Sequence, residues 1–267
     1  IVAMKHSMKQ DFSDEIVVVD ENSTDKTREI AKKYGAKIYK VKHEPIFHKT
    51  KQKAIDKATG DWILQLDADE LISPELANEI KDVINLANND LKKRVLVRPE
   101  FLDSARDKLV EGSRGSKIKM FERHQRLIEE RDGKIGKKTG NIVAFFIPRL
   151  NFFLGKPLIH AGVYPDANIR LIKRGCAHFP AKSVHEQIVV QGRVGWLASP
   201  LFHMDSPTFR RYLERNSRYI DLIKDELKEM KSGSLVQALD YLFVKPLFWF
   251  LWTQIRHKGV LDGWRGI

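Results

Sequence analysis

A single cysteine in 267 residues, Cys176, excludes an internal disulfide and argues against a thiolate zinc site. That scarcity fits a reducing, cytoplasmic setting. No internal repeat runs through the chain and no secretory leader pattern opens it. A clean membrane span is missing too, since it would need about 20 mostly apolar residues. The most apolar stretch, 235–255, is interrupted by Lys245 and Pro246. Acidic side chains are the scarcer charge, 35 Asp and Glu against 47 Lys and Arg, giving a formal net charge of +12 and a pI near 9.6. Such an excess suits an anionic partner: nucleic acid, an anionic membrane or a phosphorylated substrate. For any single Lys or Arg, a solvated surface position is the plain alternative. What is present in quantity is apolar: hydrophobic residues make up 42% of the chain. That is no disordered composition, and the length suits one large α/β domain, alone or with an appendage.

The apolar segments alternate with helical patterns. Glu15-Ile16-Val17-Val18-Val19-Asp20 is a β-branched run ending in an acid and reads as a buried parallel strand. Ser23, Thr24 and Asp25 offer caps for a helix to about Tyr34, with Gly35 as its stop. Strands are predicted over 36–41, 62–66 and 94–98, and a helix over 49–59. Ser73-Pro74 starts another helix, with Leu76, Ile80, Val83, Ile84 and Ala87 as its apolar stripe. Strands alternating with helices predict a parallel sheet, whose ligands sit beyond the carboxyl ends of the strands. Both Asp20 and Asp67 fall at such ends.

Four regions are expected. Residues 1–100 form a nucleotide-binding half and 101–140 a charged insertion or lid. Residues 141–206 form an acceptor-binding and catalytic half. Residues 207–267 form a helical, membrane-associated region with aromatics at Phe243, Phe248, Trp249, Phe250 and Trp252, and with Lys245, Arg256, His257, Lys258 and Arg265 nearby. A core or oligomer-contact helix is the alternative for that last region. Helical spacing of Ile1, Met4 and Met8, and the abrupt Gly266-Ile267 end, suggest a fragment of a longer chain.

Asp67-Ala68-Asp69-Glu70 carries the sharpest chemical signal. Two carboxylates one residue apart, just past a strand, can share a divalent cation that takes its other ligands from water and substrate phosphates. An acidic turn capping the next helix is the alternative, and it is strongest for Glu70. Asp20, followed by Asn22, Ser23 and Thr24, can receive hydrogen bonds from a base or ribose, or else simply close a helix-capping turn. Asp25 reads as a cap. His203 follows an apolar stretch and offers an imidazole for a metal shell, although a lone histidine is commonly structural.

The run from Asp14 through Asp20-Glu21-Asn22-Ser23-Thr24-Asp25 to Thr27, then Ala58-Thr59-Gly60-Asp61-Trp62 through Asp67-Ala68-Asp69-Glu70, resembles family 2 glycosyltransferases with the GT-A fold. Ile147-Pro148-Arg149, Phe153-Leu154-Gly155-Lys156, His160 to Asp166, Arg170-Leu171, Val184-His185-Glu186 and Gly259-Val260-Leu261-Asp262-Gly263-Trp264 are similar to the branch containing lipopolysaccharide-core β-glucosyltransferases. The match runs in order along most of the chain apart from 101–140. It implies an α/β architecture with a GT-A (Rossmann-like), mostly parallel sheet flanked by helices, followed by C-terminal amphipathic membrane-associating helices.

The resemblance further implies an inverting transfer from a nucleotide-diphospho-sugar, a UDP-sugar foremost, with Mg²⁺ or Mn²⁺. The acceptor would be a glycan or lipid-linked molecule of cell-envelope polysaccharide or lipopolysaccharide synthesis, at the inner face of the cytoplasmic membrane. Carried over residue by residue, Asp20 would contact the nucleobase, with Asn22 beside it and Lys51 near the nucleotide. Asp67 would serve the ribose or metal, Asp69 the metal, and His203 its third ligand. Arg170 would stabilise phosphate or orient a carboxylate. Glu186 would be the general base, with His185 as its neighbour and Asp166 as a rival base or acceptor contact. His160 would belong to the acceptor loop. Two departures stand out: the family's first strand, with Pro-x-x-Asn-Glu, is absent, and Gln52 replaces the usual asparagine. Two other readings remain: a sugar-nucleotide nucleotidyltransferase, and a non-catalytic basic protein binding nucleic acid or membrane. The glycosyltransferase reading expects no nucleic acid partner.

Overall fold

The computed structural model describes residues 12–87, 89–91, 123–131, 133–180, 187–228 and 239–267. The predicted strand at 94–98, and most of the predicted lid, lie outside them. The chain divides into two compact units: residues 1–149 with 165–202, and residues 150–164 with 203–267.

In the first unit, β1 (Val17–Asp20) leads through a loop to α1 (Thr27–Lys33), then to β2 (Lys37–Lys40), which pairs with β1 in parallel. Asp25 accepts from Thr27 N at 2.9 Å, a side-chain turn just ahead of α1, whose N-cap position is Lys26 with no side-chain cap bond, so Asp25 is not the cap the sequence suggested. Gly35 ends the helix at φ 73°, a backbone state open to glycine without a Cβ penalty. Glu15 braces this end of the sheet, accepting from Lys37 Nζ at 2.7 Å and Thr59 N at 2.7 Å. Those bonds, Lys37 first, lower its carboxyl to about 2.

Next come α2 (Phe47–Lys57), β3 (Trp62–Leu64), β4 (Glu70–Ile72) and α3 (Pro74–Ile84). Ser73 caps α3 as the sequence predicts, its Oγ accepting from Leu76 N at 3.1 Å with proline in the first turn. Helix α4 (123–131) falls in the region read as a lid. Then follow β5 (Ile142–Ile147), β6 (Arg149–Phe153), β7 (Lys156–Pro157), β8 (Asn168–Lys173), β9 (Ala177–His178), β10 (Val189–Val190), β11 (Arg193–Trp196) and β12 (Leu201–Ser206). The central sheet runs β11-β5-β8-β3. β11 is parallel to β5, whereas β8 is antiparallel to both β5 and β3. The sheet is thus mixed rather than mostly parallel, because β8 enters between two strands that precede it in sequence.

Every residue of β5 is buried, since both faces of the sheet are covered. Ile142, Phe145 and Ile147 join α3's Leu76, Ala77, Ile80 and Val83 in one core. Val143, Ala144 and Phe146 join Ile55 of α2, Ile63 of β3 and Ile128 of α4 in another. Strict alternation would not put Val143 and Ala144 on one side. A bulge does, since Arg193 pairs with Ile142 but Val194 with Ala144. This mixed α/β architecture is of the GT-A type, with the carboxyl end of β3 opening onto the acidic turn.

The second unit contains the β6–β7 hairpin, turned by Leu154 (φ 48°) and Gly155 (φ 77°) between the pair Phe153 and Lys156. It also holds α5 (Phe209–Lys228) and α6 (Lys245–Leu251). On α5, Leu213 and Ile220 are exposed. Around α6, exposed apolar side chains follow one another along the chain, among them Leu242, Phe243, Val244, Leu247, Phe248 and Trp249. They surround the helix rather than keeping to one face, as a strictly amphipathic pattern would. None of the described helices is long and apolar enough to cross a membrane. Beyond α6, the segment Gly259–Gly266 makes two helical turns across a kink at Gly263. Asp262 there accepts from Ile159 N at 3.0 Å, His160 N at 2.8 Å and His160 Nδ1 at 2.7 Å.

Candidate functional site

The acidic motif is a closed turn. Glu70 N donates to Asp67 O at 3.1 Å, while the Glu70 carboxylate reaches back to accept from Asp67 N at 2.8 Å. Both ends of the four-residue turn are thereby tied, and Asp69 is left exposed at its tip. Glu70 is fully buried. Glu70 does not cap the next helix, as its structural reading from sequence had it, since Ser73 does; instead it ties the turn that presents Asp69.

Asp67 stands just past β3 and is partly exposed. Lys51 of α2 lies against it, with Nζ 2.7 Å from Oδ1 and 2.9 Å from Oδ2. Arg170 of β8 places Nη2 2.7 Å from Oδ2. Gln65 Nε2 adds a bond to Oδ1 at 3.1 Å. Burial works against ionisation of Asp67, but Arg170 and then Lys51 outweigh it and hold the carboxyl well below the usual carboxylate range. Burial pushes the Lys51 ammonium down, with the Arg170 charge adding to the effect and Asp67 opposing it.

Arg170 is the hub. Its strand neighbours Ile169 and Leu171 are buried core residues, and its own side chain is 6% exposed. A buried guanidinium needs partners, and it has Gln65 on Nη1 and both Asp67 and Glu70 on Nη2. Burial alone would favour the neutral form, but Glu70 and Asp67 reverse that and keep it firmly protonated. Its Nε has no hydrogen-bond partner among the described residues. The antiparallel β3–β8 pairing makes this hub possible, because Gln65 N donates to Arg170 O at 2.8 Å. Arg149, at the start of β6, continues the network, with Nη1 3.5 Å from Glu70 Oε1 and Nη2 2.6 Å from Asp166 Oδ2.

Sequence reasoning assigned no role to Arg149, Gln65 or the Glu70 carboxylate as an ion-pair partner. The available signal was charge placed inside strongly apolar strand sequence, as in Phe146-Ile147-Pro148-Arg149-Leu150. Gln52, the departure from the family pattern, is structural: it accepts from Phe179 N at 2.8 Å and donates to Asp56 at 2.6 Å.

Asp20 is 3% exposed and closes its own loop, accepting from Ser23 N at 3.2 Å, with Arg28 Nε 3.7 Å away. Asn22 turns that loop through a left-handed φ of 65°. In the second unit, His203 Nδ1 lies 2.6 Å from Asn151 Oδ1. His185 and Glu186 lie outside the described residues. Among the described residues, no group of three or more His, Cys, Asp or Glu side chains could hold a metal ion by itself. The donors fit a different kind of cation site. An ionised Asp67 and an exposed Asp69 would supply one or two carboxylates, and a bound diphosphate and water the rest, as suits Mg²⁺ or Mn²⁺.

Residues 4–146 match the glycosyl transferase family 2 model. An uncharacterised glycosyltransferase of Rickettsia conorii is 38% identical over 89 residues, covering 33% of this chain and 31% of that protein. A second, from Mycoplasma pneumoniae, is 33% identical over 86 residues, covering 29% and 28%. These matches span about a third or less of each relative's length. S. aureus TarS 1–349 aligns over 96% of this chain and 68% of its own, with 16% identity and a TM-score of 0.36. The family match covers more than half of the chain, and the chain belongs to glycosyl transferase family 2.

Proposed function

We propose that the protein is an inverting glycosyltransferase, moving a sugar from a nucleotide-diphospho-sugar, first of all a UDP-sugar, to a glycan or lipid-linked acceptor of the cell envelope. The observation that carries this reading is the tied Asp67–Glu70 turn, which exposes Asp69 beside the ionised Asp67 and the cations Lys51 and Arg170. Family membership supports the donor class.

In this reading Asp20 and Asn22 receive the nucleobase and ribose, while Lys51 answers the charge of the diphosphate. Asp69, with Asp67, holds Mg²⁺ or Mn²⁺; when bound, the cation neutralises charge building on the leaving diphosphate. The acceptor hydroxyl attacks from the opposite face of the sugar, and its proton goes to Glu186, with His185 alongside. Asp166, already ion-paired with Arg149, serves the acceptor hydroxyls. The exposed apolar collar around α6, with Lys245, Arg256, Lys258 and Arg265, would sit on an anionic membrane, placing the enzyme peripherally at the inner face.

The experiment is calorimetric titration of UDP with and without Mn²⁺ on the wild type, Asp69→Ala and Glu186→Gln, followed by turnover with UDP-sugars. Asp69→Ala should cost about 100-fold in metal-dependent affinity or turnover, at the upper end of what loss of a metal-supporting group costs. Glu186→Gln should bind UDP normally and fail in transfer. Equal UDP binding with and without Mn²⁺, or retained turnover in Asp69→Ala, would remove the metal assignment. Weakened UDP binding in Glu186→Gln would remove it as the base.

A further inference from the structure

Six charged side chains in the first unit form a chain of alternating sign. Lys51 meets Asp67 at 2.7 Å, Asp67 meets Arg170 at 2.7 Å, and Arg170 meets Glu70. Glu70 then meets Arg149 at 3.5 Å, and Arg149 meets Asp166 at 2.6 Å. Three cations balance three carboxylates, so the chain carries no net charge. Glu70 is fully buried and Arg170 nearly so, which leaves the middle of the chain poorly screened by water. Within it, Glu70 is shared between two guanidiniums, with the Arg149 contact the looser.

If a phosphate group draws Lys51 or Arg170 toward itself, Asp67 and Glu70 lose part of their compensation. Glu70 then has one other guanidinium to turn to, Arg149, and a movement of Arg149 toward Glu70 would alter its hold on Asp166. The geometry has a second feature suited to this: Arg149 faces Glu70 with Nη1 and Asp166 with Nη2, so one planar group joins the two carboxylates.

Resting on the donor and acceptor reading above, we propose that Glu70 and Arg149 are positioning residues that couple the donor-side carboxylate Asp67 to the acceptor-side carboxylate Asp166. Neither would touch substrate. Their role is to make the state of one pocket felt by the other, so that the acceptor contact at Asp166 reorganises when the donor is seated.

The test is a double-mutant cycle on the full chain, with UDP and Mn²⁺ as the probe. Asp166→Asn should shift the UDP dissociation constant about five-fold, the lower end of ordinary coupling between sites. In a Glu70→Gln background the same substitution should shift it less than about two-fold. Arg149→Lys, which keeps the charge but has only one terminal nitrogen, provides a second background should Glu70→Gln fail to fold. A purely structural Glu70 would lower the melting temperature yet leave the effect of Asp166→Asn unchanged, and that result overturns the proposal. Melting curves for Asp67→Asn, Asp166→Asn and the pair need no ligand. Non-additive melting shifts with no UDP binding would keep the relay and remove the donor reading. Additive shifts in both melting and binding would remove the relay and leave the donor reading in place.

Discussion

Arg170 shows how one residue can organise a site that it does not itself expose. It sits in a core strand, yet its guanidinium bridges two carboxylates and a glutamine. Removing one member of a buried ionic group costs about 3–5 kcal/mol, because the other charges remain buried and unpaired. Arg170→Met is therefore expected to lose about 3 kcal/mol at pH 7, read by urea unfolding. The pH dependence follows from the lowered Asp67 carboxyl. An acid with a depressed folded value contributes stability above its unfolded value of about 3.9, and that contribution fades as pH falls through the folded value. Arg170→Met removes the largest cause of the depression and leaves that of Lys51, so its deficit should shrink as the pH is brought to about 4 and below. A deficit of the same size at both pH values would mean that carboxylate charge is not what Arg170 serves.

At the scale of elements, the turn Asp67–Glu70 depends on what flanks it. β3 holds one side through its antiparallel partner β8, and Ser73 fixes the other by capping α3 immediately after β4. Two of the motif's three carboxylates thus have opposite fates: Asp69 is pushed out at the tip, and Glu70 is pulled in as a brace. Ser73→Ala should cost about 1 kcal/mol, the usual loss of an N-cap, measured by thermal or urea unfolding. If metal-dependent UDP binding weakens alongside, α3 is transmitting its start point to the turn. Unchanged stability would mean that the cap bond is dispensable and that proline in the first turn alone starts the helix. In the second unit the C-terminal turns clamp the 159–160 loop through Asp262, tying a region read as acceptor-binding to the segment that follows the aromatic helix.

For the molecule as a whole, charge and exposed apolar surface make one argument. A net charge of +12 favours anionic surfaces, and the collar of aromatic and aliphatic side chains around α6 supplies the area to be buried. Binding to phosphatidylglycerol vesicles should exceed binding to neutral phosphatidylcholine vesicles and weaken with salt. Replacing both Phe248 and Trp249 by Ser removes two large apolar groups, each worth roughly 1.5–3 kcal/mol when buried. Partitioning into anionic vesicles, measured by sedimentation, should fall about 100-fold. Undiminished partitioning would show that this surface is not the one facing lipid, and a concentration-dependent change in oligomeric state would point to self-association instead.

The sequence alone determined several of the local elements and the family. β-branched runs, the cap at Ser73 and the stop at Gly35 are signals confined to a few neighbouring residues, and Asp67, Asp69 and Arg170 stood out by type and position. Only the tertiary structure decided that the central sheet is mixed, since strand direction depends on which partners meet across long separations. It also decided that Glu70 is buried rather than exposed and that Arg149 joins it to Asp166. Residues 67–70, 149 and 166–170 carry no periodic pattern linking them. What joins them is the low-dielectric interior, where each charge had to find an opposite one within reach before the chain could close over it.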